Sequence, residues 1–121
     1  MTDKILTFGS EKVLLLSDTG PLLASPGDTN DFLALSWGSE ASTMVIPRTR
    51  LGEDFLQLRT RLAGEVVQKF VNYGLRLVVL GDISDALAQS AALRDFVREA
   101  NAGRHLWFLP DEEVLAQKFG G

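Results

Sequence analysis

The chain has 121 residues, with 45% hydrophobic and 23% charged side chains, and so encodes one domain with a core of its own rather than two domains or a disordered tail. It has no cysteine, which excludes a disulfide framework and thiolate chemistry. Its 12 basic residues against 16 acidic ones leave a net charge of −4, and that field argues against nucleic acid as a partner.

No long apolar run follows Met1-Thr2-Asp3-Lys4, so no signal peptide is expected, and nothing approaches the roughly 20 apolar residues of a membrane span. A cytoplasmic protein is the expectation. The one short basic cluster is Arg48, Arg50, Arg59 and Arg61, which reads as a solvated helix face and loop.

In chain order, Ile5 to Phe8 reads as a strand, Gly9 to Lys12 as a turn, and Val13 to Leu16 as a second strand closing a hairpin. Asp18-Thr19-Gly20-Pro21 is turn chemistry, and Pro21 to Ala24 a short extended piece. A first helix begins near Pro26, with Ser25 as N-cap and Asp28 at the positive end of the dipole. Phe32, Leu33, Leu35 and Trp37 form its apolar stripe, and Gly38 helps to end it. Thr43 to Ile46 is a continuous apolar run stopped by Pro47, the pattern of a buried parallel strand.

The strongest periodicity runs through Phe55, Leu58, Leu62, Val66, Phe70 and Tyr73, which predicts one long helix. Arg61, Glu65 and Lys69 line its outer face at a spacing that lets opposite charges pair. Gly64 implies a close approach of helix and sheet, and Gly74 a C-terminal cap. Leu75 to Leu80 is the expected central strand, ended by Gly81-Asp82. A third helix covers about Ser90 to Ala100. Asp85 to Gln89 is either loop or an early start of that helix. His105 to Leu109 is the last strand, and a fourth helix follows Pro110, opened by Asp111, Glu112 and Glu113. Gly120-Gly121 is expected to fray. The order β-β-α-β-α-β-α-β-α implies a single compact α/β domain over residues 1–121, with a mostly parallel, mixed sheet and packed helices.

Three segments carry a resemblance: Glu53-Asp54-Phe55 through Leu62-Ala63-Gly64-Glu65 to Gln68-Lys69-Phe70-Val71-Asn72-Tyr73; Gly81-Asp82-Ile83-Ser84; and Leu93-Arg94-Asp95-Phe96 with Glu99-Ala100-Asn101 and Phe108-Leu109-Pro110. Together they resemble the bacterial family called Domain of Unknown Function 4180, which supplies no activity or catalytic residue to carry over. At Asp85-Ala86-Leu87-Ala88-Gln89 the chain departs from the polar, aromatic-containing loop of that family. The element order also looks like the sulfate-transporter and anti-sigma-factor-antagonist (STAS) fold. That likeness implies protein partners, and a switch by phosphorylation of a Ser at a helix start.

Ligands of open α/β sheets sit at the carboxyl ends of the strands. Asp82, Ser84, Arg48 and Arg94 are therefore the candidate ligand-binding residues, with Ser84 and Ser90 as candidate phosphoacceptors. For each there is a plainer use: Asp82 and the serines as caps, Arg48 as a surface side chain. His105 is the single histidine, so no metal site and no hydrolase triad is expected. With no P-loop and no G-x-G-x-x-G, no cofactor is expected either. Asn72 and Asn101 read as helix ends. Trp107 reads as core; Trp37 fits core or a partner surface, and a homodimer through a sheet edge or the Trp37 region is a further expectation. The leading expectation is a non-enzymatic protein-binding or regulatory module. The alternative is a small ligand-binding protein or enzyme with its pocket around Asp82.

Overall fold

The fold comes from a computed structural model, which describes residues 3–120. Strands β1 (Lys4–Phe8) and β2 (Glu11–Leu15) pair antiparallel across the two-residue turn Gly9-Ser10. Strands β3 (Thr43–Pro47), β4 (Arg76–Leu80) and β5 (Leu106–Leu109) then add in parallel, so the sheet order is β1-β2-β3-β4-β5. Val45 and Val78 in the inner strands are wholly buried, as a sheet covered on both faces requires.

Strand alternation splits the core in two. One face presents Leu14, Met44, Ile46, Leu77, Val79 and Phe108 to the helices α1 (Asp28–Ser36), α2 (Leu62–Asn72), α3 (Ser84–Gln89) and α4 (Ala91–Ala102). The other presents Val13, Val45, Val78 and Trp107 to α5 (Glu112–Gly120). That single helix covers its face with aromatic contacts. Phe119 stacks on Phe8 at 5.2 Å and meets Trp107 edge-on at 5.4 Å, while the Arg76 guanidinium lies 4.3 Å over the Trp107 ring.

Several expectations change. The long helix through Phe55 is shorter than its periodicity: residues 52–61 form turns and a short 3₁₀ segment, Leu58–Thr60. Arg61 stands in the left-handed region at φ 63°, and α2 starts only at Leu62. A left-handed arginine cannot continue a helix, so Phe55 and Leu58 belong to a separate loop. Arg61, Glu65 and Lys69 form no ion pair among the described residues.

Gly64 does not bring helix and sheet together, since a Cβ built there meets nothing within 4 Å. It borders instead an open groove beside Phe96 and Ala100. Gly74 does end α2: its N–H reaches Val71 O at 2.9 Å, and Leu75 N–H reaches Phe70 O at 2.9 Å. Ser25 is not a side-chain N-cap. Residues 25–27 make a turn, and Asp28 Oδ2 reaches back to accept from Ala24 N–H and Ser25 N–H, each at 3.0 Å.

The Asp85–Gln89 stretch is helical. It forms α3, and Ser90 then caps a separate α4 by accepting from Leu93 N–H at 3.1 Å. Leu35 and Trp37 leave the expected stripe and face solvent, with Trp37 67% exposed. Gly121 of the expected frayed end, and Met1 and Thr2 at the start of the chain, lie outside the described residues, whereas Gly120 closes α5.

Asn101 is not a helix-end cap. Its side-chain amide accepts from Phe108 N–H at 2.7 Å and donates to Phe108 C=O at 3.2 Å. Both groups belong to edge strand β5, so α4 closes that edge with one side chain.

Candidate functional site

Strands β3 and β4 run parallel, so their carboxyl ends emerge side by side at Pro47-Arg48 and Leu80-Gly81. Arg48 opens a 3₁₀ turn after β3 (Arg48–Arg50), and Asp82 to Asp85 lead from β4 into α3. Gly81 sits between them at φ +140°, where a Cβ would come within 3.1 Å of Arg48 Cβ. Glycine thus serves both the backbone angle and the close passage of Arg48.

The guanidinium of Arg48 crosses this gap. Its Nη1 donates to Asp82 C=O at 2.7 Å and to Asp85 Oδ1, and its Nη2 donates to Asp85 Oδ2 at 2.9 Å. This two-point pair holds the Asp85 carboxyl at about 2, below its usual 3.8, with the Arg48 hydrogen bond as the main cause. The same bond raises Arg48 above its ordinary value. Asp82 is lowered chiefly by Ser84 N–H, which its Oδ1 accepts at 2.8 Å.

The sign of the pH dependence follows from the lowered value. The Arg48–Asp85 pair is complete above pH about 4 and is lost as pH falls toward about 2, where Asp85 takes its proton. Replacing Arg48→Gln should return the Asp85 midpoint toward 3.8 in an NMR titration of its side-chain carboxyl. A midpoint that did not move would mean the pair is absent in solution.

Arg48, Asp82 and Ser84 are thus brought together, as their positions after adjacent strands suggested. Arg94 is not with them. It sits in the first turn of α4 and donates to Leu87 C=O at 2.6 Å, satisfying the end of α3. Ser84 opens α3 and is exposed, with its hydroxyl beside the Asp82 carboxylate, where it helps its own N–H to hold that group low, while the Ser90 hydroxyl is engaged as a cap.

Beside Arg48 lies a groove of about 850 Å³ between the 51–59 loop and the α3–α4 junction. Glu53, Gln57 and Arg59 line one wall, and Asp85, Gln89 and Ser90 the other. The sequence reading missed this loop wall because it assigned Phe55 and Leu58 to a helix. It also passed over Asp85, whose signal is its place in the helix turn directly after β4, opposite the Arg that follows β3.

The basic cluster separates. Arg59 and Arg61 are exposed, but Arg50 is not a surface side chain: it is 5% exposed. Its Nε donates to Pro21 C=O at 2.7 Å and its Nη1 to Ser17 C=O at 2.9 Å, so it ties β3's exit to the 17–21 loop. A built Cβ on Gly20 would meet Arg50 Cζ at 2.8 Å, and the glycine in that turn is the one sequence sign of the buried guanidinium.

His105 is exposed and lies just before β5, and Trp107 is buried, with its Nε1–H on Gly103 C=O at 2.9 Å. Among the described residues no group of three acidic or histidine side chains is placed to hold a metal ion, and no helix is long and apolar enough to cross a membrane.

No curated protein and no solved structure matches the chain. The family model described as Domain of unknown function (DUF4180) matches residues 8–119. A match over nearly the whole length settles membership: the chain belongs to the DUF4180 family.

Proposed function

We propose that the protein is a non-enzymatic regulatory module of STAS-like fold that docks a cytoplasmic protein partner at the carboxyl end of its sheet. The observation that carries this reading is the polar groove of about 850 Å³ between the 51–59 loop and the α3–α4 junction. Its walls mix Glu53 and Asp85 with Arg48 and Arg59, the composition of a polar protein contact. The polar groups around it are already spent on the fold: Arg48 on Asp85, Asp82 on Ser84 N–H, Ser90 on Leu93 N–H. The chain's single histidine, His105, is not among the lining residues, so no imidazole base stands in the groove. The alternative, a ligand pocket centred on Asp82, has less support because its carboxylate is engaged by Ser84 N–H and Arg48 is engaged by Asp82 C=O and Asp85.

The exposure of Ser84, against the half-buried, cap-engaged Ser90, makes it the better phosphoacceptor of the two serines. A phosphate there would compete with Asp85 for Arg48 and re-arm one wall of the groove. The test places a photo-crosslinking residue at Gln89 in the groove and, as a control, at Glu40, which precedes β3 at the other end of the sheet. In the host cell, Gln89 should yield one discrete adduct that Glu40 does not, and the charge reversal Arg59→Glu should abolish it. Equal labelling from both positions would sink the reading.

A further inference from the structure

Arg50 is 5% exposed, yet among the described residues no carboxylate lies within 4 Å of its guanidinium. Buried charges are ordinarily paired, because desolvation costs several kcal/mol. Here two backbone carbonyls and the Phe32 ring, 5.3 Å from Cζ, supply the compensation, with no direct ion pair to the charge among the described residues.

The geometry of the third nitrogen shows where that charge is directed. Nε and Nη1 are spent on Pro21 and Ser17, and Nη2 has no hydrogen-bond partner among the described residues. Thr29 Oγ1 is the one sealed side-chain atom lacking a partner among those residues, so Nη2 is not sealed. Arg50 lines a pocket of about 370 Å³ with Asp3, Ser17, Thr19, Asp31, Phe32 and Leu35, and Nη2 is the atom it can offer there. The size is at the lower end of small-molecule sites, roughly 300–1,000 Å³.

The lining carries two kinds of charge. Asp31, exposed on α1, makes no hydrogen bond or ion pair among the described residues. It borders the same pocket as Arg50 but lies beyond pairing distance of it, which leaves the two charges apart with space between them. Asp3 lines the pocket too, with its Oδ1 accepting from Ser17 N–H at 2.8 Å, so of the two carboxylates Asp31 is the one with no partner among the described residues. Phe32 and the half-exposed Leu35 add an apolar wall. A lone carboxylate ligand would satisfy Arg50 and be repelled by Asp31 and Asp3. A lone amine would do the reverse.

We propose that this pocket binds a small zwitterion, an α-amino acid with an apolar side chain, with its carboxylate on Arg50 Nη2, its ammonium at Asp31 and its side chain against Phe32 and Leu35. The site is separate from the docking groove and does not depend on it.

The test is an NMR titration of the full, isotopically labelled chain with L-leucine as probe. Saturable shifts are expected at the amides of Ser17, Thr19, Gly20 and Asp31. Isocaproate, which lacks the amine, and isopentylamine, which lacks the carboxylate, should each bind roughly tenfold more weakly or worse, the worth of one charge-assisted bond. Because Arg50 also holds the 17–21 loop, the variant of choice is Asp31→Asn. It should weaken leucine by a similar factor while leaving the rest of the spectrum in place. No saturable shift up to the solubility limit of leucine would overturn the proposal. So would isocaproate binding as tightly as leucine, or an Asp31→Asn variant that binds leucine unchanged.

Discussion

Replacing Phe55→Ala is expected to cost about 3–5 kcal/mol of folding free energy in chemical denaturation, the usual range for a buried aromatic truncated to alanine. Phe55 is wholly buried in the larger core, although no helix or strand carries it. The other bonds of the loop are mostly local turns, such as Gln57 N–H to Asp54 C=O at 3.1 Å and Thr60 Oγ1 to Asp54 C=O at 2.8 Å, while Gly52 N–H to Leu23 C=O at 3.0 Å ties its start to the 21–24 segment. Its ring therefore fixes the wall of the groove as well as filling the core. Domains of this class are stable by about 5–15 kcal/mol, so the loss is a large share of the total.

The comparison with Leu58→Ala decides between two structures. In a helix running from Phe55, both residues would sit on one buried face and cost nearly the same. In the observed loop Leu58 is only half-buried, and its truncation should cost about 1 kcal/mol. Equal, large costs would restore the long helix and remove the groove wall. The loop reading also predicts that protease sensitivity in Phe55→Ala appears first within residues 52–61, ahead of global unfolding.

What was legible in the sequence follows from what each element depends on. Thr43–Pro47, Arg76–Leu80 and Leu106–Leu109 are buried on both faces, so they read as continuous apolar runs whatever their partners. The capping of Ser84 N–H by Asp82, and of Leu93 N–H by Ser90, are local bonds, and local chemistry suggested them. The 55–62 region misled because Phe55, Leu58 and Leu62 continue the phase of α2 although they pack from a different backbone. The break is a single left-handed Arg61, and arginine carries no sequence signal for that angle. Arg50 was illegible for a related reason. Its carbonyl partners, at Ser17 and Pro21, lie about thirty residues away, and periodicity cannot report a buried cation held by backbone oxygens. Of the predicted site, the convergence of Arg48 and Asp82 followed from strand order alone, whereas the tie to Asp85 needed the α3 helix that sequence left open.

Replacing Asn101→Ala is expected to cost about 2–3 kcal/mol and to make the protein prone to associate. Phe108 is 6% exposed, and both its outward-facing backbone groups are satisfied by this one amide. Leaving a buried donor or acceptor without a partner costs about 1–3 kcal/mol each, reduced where water can reach an edge. The unplugged edge of β5 would then offer its free N–H and C=O to another chain. Concentration-dependent light scattering should show this before any loss of helix content. The Asn101→Asp variant separates the two bonds. A carboxylate still accepts from Phe108 N–H but faces Phe108 C=O with two acceptors opposed. It should therefore lie between wild type and alanine near neutral pH and recover stability in mild acid, when the introduced carboxyl is protonated and can donate. A variant as stable as wild type at all pH values would mean that water replaces the amide without cost, and that β5 is protected by α4 as a whole rather than by one side chain.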